Sequence, residues 1–299
     1  MIKRILLTIG LLMLAAPVAL AQQETSHYPP GAEGLKGASL PGPGTYLKWY
    51  NVVYTANTLK DRNGNSVPAD LDLNVFATVP RLIWMTEEKF LGADYGMDVA
   101  VPFVNVDLRV GSAGINDSTF GLGDVLYEPV VLGWHFDQVD IGAAAGVWMP
   151  TGDFDPNSPV NAGKGFYTGM FTLGSTVYFD EEKTWHLSAL GRYETNSQKQ
   201  GINIRPGDDF HIEWGFGKSL TPAWTIGLTA YTHWQVTDDT GSAVTYDASV
   251  HDRFFSVGPE LLYFHEPAKL FFSTRYQAEF GAIDRTQGHN IVVSLVKIF

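Results

Sequence analysis

The feature of this 299-residue sequence that most constrains its fold is a succession of segments in which polar and apolar residues alternate. They run from about residue 44 to the last residue, and each is about 10 to 16 residues long. Alternation with a period of two is typical of β-strands, whose successive side chains point to opposite faces. The chain is therefore predicted to be all-β.

The connections between these segments alternate between short and long. Short connections are predicted near residues 86–89, 137–138, 180–183, 221–223 and 265–268, and longer ones near 59–67, 111–118, 151–165, 197–207, 238–252 and 283–287. Cutting the chain at all of them leaves about twelve strands, and bacterial outer-membrane barrels have an even number of strands, short periplasmic turns and longer extracellular loops. The prediction is a closed antiparallel transmembrane β-barrel with both chain ends in the periplasm.

The two faces of the predicted strands differ in polarity. Asp94 and Asp98, for example, alternate with Tyr95, Met97 and Val99. A soluble barrel would bury its apolar face, whereas a membrane barrel turns that face to lipid and keeps carboxylates in a wet lumen. The aromatic residues favour the membrane barrel, because they cluster within a few residues of the short turns, as an interfacial girdle does. These aromatic residues are Trp84, Trp134, Phe136, Tyr178, Phe179, Trp185, Trp224, Tyr263 and Phe264.

With the faces assigned in this way, a set of polar side chains is expected to point into the lumen. Mixed charges there could line a diffusion path and set its selectivity. They could equally pair across a narrow barrel and fill it, because wide aqueous channels need about sixteen strands. The sequence leaves both interpretations open. The lumen-lining candidates are Asp72, Asn74, Asp98, Asp124, Glu128, Asp140, Arg192, Glu194, His211, Glu213, Arg275, Gln277 and Glu279.

The N-terminal residues divide into two segments that precede the barrel. Residues 1–21 carry Lys3 and Arg4, then an apolar run, then a small-residue cleavage site ending at Ala21, which predicts a removable signal peptide. Residues 22–43 are rich in proline and glycine and have no period, so they are expected to form an irregular leader. The leader could be a plug inside the lumen or a periplasmic tether. The barrel is expected to occupy residues 44–299.

Charge and motif content argue against several function classes. The net charge is −12, or −14 without Lys3 and Arg4, so the chain would repel nucleic acid. The acidic stretch at 153–157 has the spacing of a calcium loop, but Ser158 and Lys164 stand where the loop requires glycine and glutamate. We therefore expect no metal, no cofactor and no catalytic residue.

One catalytic alternative comes from a set that imitates an outer-membrane phospholipase, namely His186, Ser188 and Asn196. A serine nucleophile needs a histidine base within hydrogen-bonding reach. His186 lies just after a short turn, which places it at the periplasmic end and on the polar face. A lipase acting on the outer leaflet would need the pair to face lipid at the other end, so this function is disfavoured.

The last strand carries an expected assembly signal. Ile291, Val293, Leu295 and Lys297 share one face, and the chain ends at Phe299. An apolar alternating strand with a terminal aromatic residue resembles the signal by which outer-membrane barrels are recognised, although Lys297 departs from the usual apolar or aromatic residue. The barrel-assembly machinery is therefore an expected partner.

Five short motifs, taken in order, carry a resemblance to a known family. They are His27-Tyr28-Pro29-Pro30-Gly31, Pro43-Gly44-Thr45-Tyr46, Gly121-Leu122-Gly123-Asp124, Pro150-Thr151-Gly152-Asp153-Phe154-Asp155 and Arg205-Pro206-Gly207-Asp208-Asp209-Phe210. Together they resemble the outer-membrane family named for the meta-cleavage (MetA) pathway of phenol degradation, over nearly the whole mature chain.

This resemblance implies a channel or transporter in the bacterial outer membrane. The expected function is passive uptake of small hydrophobic, aromatic compounds, and the expected surroundings are outer-membrane lipids and lipopolysaccharide. The alternatives are a structural or adhesin-like barrel that conducts nothing, the phospholipase, and a soluble periplasmic β-protein.

Overall fold

The computed structural model describes residues 26–299. The predicted signal peptide, residues 1–21, lies outside the described residues. Within residues 26–299, no helix is long and apolar enough to cross a membrane. This part of the chain is all-β, as predicted, with short 3-10 turns at Gly111–Ala113 and Glu266–Ala268.

The strands follow one another along the chain from the end of the leader to the C terminus. They are β1 (Gly44–Lys60), β2 (Ser66–Val67), β3 (Leu71–Phe90), β4 (Ala93–Ala100), β5 (Phe103–Val110), β6 (Ile115–Leu122), β7 (Val125–His135), β8 (Val139–Met149), β9 (Thr168–Tyr178), β10 (Trp185–Asn196), β11 (Asp209–Ser219), β12 (Trp224–Gln235), β13 (Arg253–His265), β14 (Leu270–Ile283) and β15 (Thr286–Ile298).

The sheet closes on itself through β1. Tyr50 of β1 lies opposite Ser294 of β15 on one side and opposite Val79 of β3 on the other. Two strands of the wall are each broken once. The first consists of β4 and β5, which both pair with β3, and the second consists of β6, which pairs with β5, and β7, which pairs with β4. Because each interrupted pair spans the wall as one strand and β2 is a two-residue ribbon, the barrel has twelve antiparallel strands. The predicted closed barrel is confirmed.

The predicted alternation of short and long connections is present, with three differences. Residues 115–118 of the longer connection predicted at 111–118 belong to β6, so the chain turns within residues 111–114. Residues 86–89 belong to β3, and the turn lies at Leu91 and Gly92, whose φ angles of 53° and 80° are those of a tight hairpin turn. The connection from β14 to β15 is only Asp284 and Arg285, and Asp284 also has a positive φ of 56°. In each of these two turns a residue other than glycine, Leu91 or Asp284, adopts the left-handed region, so its residue type gives no signal for the turn.

The outer surface of the barrel carries the apolar faces of the strands. Leu173 is 65% exposed and Leu228 is 56% exposed, and Trp84, Phe136 and Phe179 form part of an exposed aromatic girdle near the short turns. A contiguous apolar band of this extent is typical of a surface that contacts lipid. The assignment of aliphatic rows to the outside is confirmed for the membrane-spanning part of the wall.

The wall extends above the apolar band at β5, β6 and the first half of β3. In this extension the apolar side chains point inward and the polar ones outward, which is the reverse of the membrane-spanning part. Leu71 and Val110 turn inward and pack with Leu59 in a small core. Asp72 and Asn74 are exposed on the outer face that β3 shares with Leu82 and Trp84. The expectation that these two residues line the lumen is therefore wrong, because this extension faces water outside and packs apolar side chains inside.

Candidate functional site

The described part of the leader, residues 26–43, lies inside the barrel, because side chains from strands around the wall bind it. The N–H of Tyr28 donates to Glu194 on β10 at 3.0 Å, and the N–H of Leu35 donates to Glu260 on β13 at 2.9 Å. From the opposite side of the wall, Lys48 of β1 contacts Glu33. The barrel interior is thus filled in part by the leader's own chain.

Glu213 on β11 is the carboxylate with the most contacts to the leader. Its oxygens accept hydrogen bonds from the N–H of Gly31 at 2.6 Å and from the hydroxyl of Tyr28 at 2.7 Å. Arg192 donates to the same carboxylate at 2.6 Å, and Arg275 donates to the carbonyl oxygen of Gly31 at 2.9 Å. Charge-assisted hydrogen bonds of this kind are stronger than neutral ones, so they fix the leader's path.

The wall has glycines at two places where the leader approaches it closely. A Cβ atom on Gly215 of β11 would lie 2.6 Å from the backbone of Leu35, and one on Gly142 of β8 would lie 2.8 Å from the carbonyl oxygen of Ala38. Real Cβ atoms do not approach other atoms so closely. The inner surface therefore leaves room for the leader's backbone at these two positions.

Arg81 on β3 joins the leader to two wall carboxylates. Its guanidinium donates to Asp98 and to Glu128, each at 2.6 Å, and to Glu33 at 3.2 Å. Burial alone would raise the pKa of Glu33, but the charges of Lys48 and Arg81 outweigh burial and hold that pKa well below its usual range. Buried charges are tolerated when they are paired in this way.

His27 connects the start of the leader to Asp124, which lies between β6 and β7. Its Nε2 is 2.8 Å from a carboxylate oxygen of Asp124, and its Nδ1 is 2.7 Å from the hydroxyl of Thr168. Burial lowers the pKa of His27, and the hydrogen bond to Asp124 only partly offsets it. The same carboxylate oxygen of Asp124 also accepts a hydrogen bond from the N–H of Lys164 at 2.7 Å.

The predicted lumen-lining residues divide into two groups. Asp72 and Asn74 lie on the outer face, as described above. The other eleven side chains are buried inside the barrel, where the structure brings together several acid and base partners. These eleven are Asp98, Asp124, Glu128, Asp140, Arg192, Glu194, His211, Glu213, Arg275, Gln277 and Glu279.

Several inner residues were missed by the sequence analysis. The alternation along the strands could have identified Arg81 and Glu260, because they occupy inward-facing positions of β3 and β13. Tyr28 and Glu33 give no such signal, because the leader has no period. The phospholipase-like set is also buried on the inner face, where the hydroxyl of Ser188 accepts a hydrogen bond from the N–H of Ala38 at 3.2 Å.

A cavity of about 380 Å³ lies between the leader and the inner wall. Ile83, Val131 and Leu190 contribute apolar side chains to its lining, and the charged side chains there include Arg81 and Glu128. A pocket of this kind, mostly apolar with a few placed polar groups, is typical of sites for small organic molecules.

Several solved structures are similar to this barrel. The chain is similar to the COG4313 outer membrane channel from Pseudomonas putida F1, at 15% identity and a TM-score of 0.78, over 88% of this chain and 97% of that chain. It is also similar to the β domain of the Bordetella autotransporter BrkA, at 11% identity and a TM-score of 0.50, over 87% of this chain and 100% of that one. The translocator domain of NalP from Neisseria meningitidis matches at 10% identity and a TM-score of 0.50, over 88% of this chain and 91% of that one.

These likenesses show the fold of an outer-membrane barrel, and the apolar outer band agrees with a location in the bacterial outer membrane. No curated protein sequence matches the chain significantly. A family model described as "Putative MetA-pathway of phenol degradation" matches residues 56–295. Since this match covers most of the sequence, the chain belongs to that family.

Proposed function

We propose that the protein is a channel for passive uptake of small hydrophobic, aromatic compounds across the outer membrane. The observation that carries this proposal is the cavity of about 380 Å³ beside the leader, with its largely apolar lining. The family's description, which concerns phenol degradation, supports the aromatic class of solute. The similar Pseudomonas putida barrel is described as an outer membrane channel, which supports conduction.

The arrangement of charges inside the barrel favours uncharged solutes. Arg81 is paired with Asp98 and Glu128, and Arg192 is paired with Glu213. An ion entering this space would have to compete with existing ion pairs while losing its own water, which is costly in a low-dielectric interior. A neutral ring has little hydration to lose and gains contact with apolar side chains.

In this proposal the leader, residues 22–43, acts as a plug that narrows the path, and the eleven buried inner residues line what is left of the lumen. The leader's hydrogen bonds with Glu194, Glu213 and Glu260 support this role. Phe299 at the end of the last strand is proposed to be recognised by the barrel-assembly machinery. We also propose that the protein has no enzymatic activity, so that a Ser188→Ala variant would leave phospholipid turnover at the level of the parent.

The direct test uses whole cells, because lipopolysaccharide is the barrier that a hydrophobic solute must pass. A Gram-negative host lacking its major porins would express the protein or an empty vector, and the initial uptake of radiolabelled toluene and of a sugar would be measured at low concentration. We expect several-fold faster toluene uptake and unchanged sugar uptake. Equal toluene uptake in the two strains would instead support a structural barrel that conducts nothing.

A further inference from the structure

Three buried side chains with metal-binding atoms converge near the extracellular end of the barrel. Asp209 begins β11, His233 lies near the end of β12, and Asp252 immediately precedes β13. One ligand atom from each lies within 4.8 Å of those from the other two. The imidazole of His233 is fully buried, and the two aspartates are 4% and 6% exposed. None of these residues takes part in the cavity described above.

The distances within this Asp209–His233–Asp252 cluster fit a single small cation. The Nε2 atom of His233 is 3.0 Å from Oδ1 of Asp252 and 3.5 Å from Oδ1 of Asp209. Zinc binds imidazole nitrogen and carboxylate oxygen at about 2.0–2.2 Å, so two of its ligand atoms in tetrahedral geometry are about 3.3 Å apart. The two observed separations lie on either side of that value. The three ligand atoms would therefore need to move only slightly to bind a cation placed between them.

The hydrogen bonds behind His233 have the form of an outer shell around a metal ligand. Its Nδ1 is 3.0 Å from Nδ1 of His211, and Nε2 of His211 is 2.9 Å from the carboxylate of Glu194. Metal-bound histidines commonly donate their second N–H to such a partner, which fixes the ring. Here His233 would donate to His211, and His211 would donate to Glu194.

Counting N–H donors supports a cation on Nε2 of His233. Three contacts link the chain of side chains Asp252–His233–His211–Glu194, and each of them needs one hydrogen atom between its two partners. Two neutral imidazoles supply one N–H each. If a cation occupies Nε2 of His233, only two hydrogens are required, and both imidazoles stay neutral beside ionised carboxylates.

The charges around the cluster leave room for a positive ion. Arg285 donates to Oδ2 of Asp252 at 2.9 Å, which leaves Oδ1 directed at His233. The guanidinium offsets one of the two aspartate charges, while Glu194 adds a further carboxylate behind the histidines. Uncompensated buried carboxylates are costly, and a divalent cation would compensate them.

We propose that Asp209, His233 and Asp252 bind a divalent transition-metal cation of the Zn²⁺ class. Mixed nitrogen and oxygen ligands suit Zn²⁺ better than Mg²⁺ or Ca²⁺, which prefer oxygen ligands alone. The site ties the start of β13 to β11 and β12, and through His211 and Glu194 it reaches the N–H of Tyr28 in the leader. Its occupation therefore holds together the extracellular ends of three strands.

The test uses the full mature chain, folded in detergent micelles, stripped with a chelator and then desalted. Titration with ZnCl₂ is followed by calorimetry and by the thermal unfolding midpoint, and Co²⁺ absorption in the visible range reports the coordination geometry. We expect one Zn²⁺ per chain, a midpoint raised by several degrees, and at least tenfold weaker binding of Mg²⁺. Absence of stoichiometric Zn²⁺ binding in the parent protein would overturn the proposal.

The variants Asp209→Asn and His233→Gln separate this site from adventitious binding. Each is expected to weaken Zn²⁺ binding at least tenfold and to abolish the shift in the midpoint. The change in gel migration on heating establishes that each variant has folded. If His233→Gln does not fold, Asp209→Asn alone provides the test. The matched control is His251→Gln, which removes a half-buried histidine that pairs with Asp238 in the same loop and should leave binding unchanged. Binding that survives Asp209→Asn and His233→Gln, or that is lost in His251→Gln, would contradict the proposed site.

Discussion

The carboxylate of Glu260, on strand β13, accepts a hydrogen bond from the backbone N–H of Leu35 in the leader at 2.9 Å. The contact joins a wall residue to a main-chain donor, so it depends on the leader's path and not on the side chain at position 35. Leu35 itself is 1% exposed and packs where Gly215 leaves space. The wall therefore positions the leader at Leu35, and the docking of the leader can be tested by substitutions in the wall.

Substitution of Glu260→Gln should loosen the leader. A hydrogen bond to a charged acceptor contributes about 1.5–3 kcal/mol, so losing the charge should raise the undocked population about tenfold. The native chain has no cysteine, and a single Ala38→Cys reporter, buried when the leader is docked, would react with a maleimide only after release. Glu266→Gln, at an exposed turn, is the matched control and should leave labelling unchanged. Equal labelling rates in both variants would count against wall carboxylates as anchors.

Removal of residues 22–43 from the mature chain should raise single-channel conductance several-fold in planar bilayers. The physical reason is that the leader occupies interior space between facing strands, as its contacts with Lys48 of β1 and Glu194 of β10 show. The measurement compares the parent and the shortened barrel at the same voltage and salt concentration, after gel migration has established folding. If the conductance of the two proteins is the same, the leader does not act as a plug.

The substitution Gly215→Val should displace the leader by steric conflict. Even a Cβ at this position would lie 2.6 Å from the backbone of Leu35, and overpacking costs about 1–3 kcal/mol. Labelling of the Ala38→Cys reporter should rise accordingly. Gly191→Val is the matched control, because a Cβ on Gly191 would lie 3.5 Å from its nearest neighbour, an ordinary contact. A larger effect at Gly191 than at Gly215 would mean that strand distortion, not leader contact, explains the labelling.

The sequence predicted the barrel well because its signal is local. Alternation within β10, where Arg192 and Glu194 face inward and Tyr193 outward, needs only a period of two. The same rule failed at Asp72, because polarity reverses where β3 leaves the lipid, and a strand pattern carries no information about depth. The anchoring of Glu33 by Arg81 was not predictable, since it joins an aperiodic segment to a strand that is 48 residues further along the chain.

Substitution of Arg81→Met should destabilise the folded barrel more than a typical surface change. Asp98 and Glu128 would be left buried without their shared guanidinium, and breaking a buried pair in this way costs about 3–5 kcal/mol. The free energy of unfolding in urea, measured in micelles, gives the loss. Adding Asp98→Asn and Glu128→Gln to the Arg81→Met variant should recover part of it, because the unpaired charges are then gone. Failure of the triple variant to recover any stability would show that packing of the arginine stem, and not charge, dominates.

Acidification should loosen the start of the leader through His27. Burial holds the pKa of His27 below 6.5, so the undocked leader takes up a proton at a higher pH than the docked leader does. The resulting stabilisation is fully present above about pH 6.5 and is lost as pH falls through the lowered pKa of the docked state. Labelling of the Ala38→Cys reporter should therefore rise as the pH falls from about 7 to about 5. The labelling rate is divided by that of a cysteine placed at the exposed residue Asp247 in a parallel sample, because maleimide reactivity itself depends on pH. The His27→Gln variant should lose this dependence, and a ratio that falls with acidification in the parent protein would contradict the assigned direction of the pKa shift.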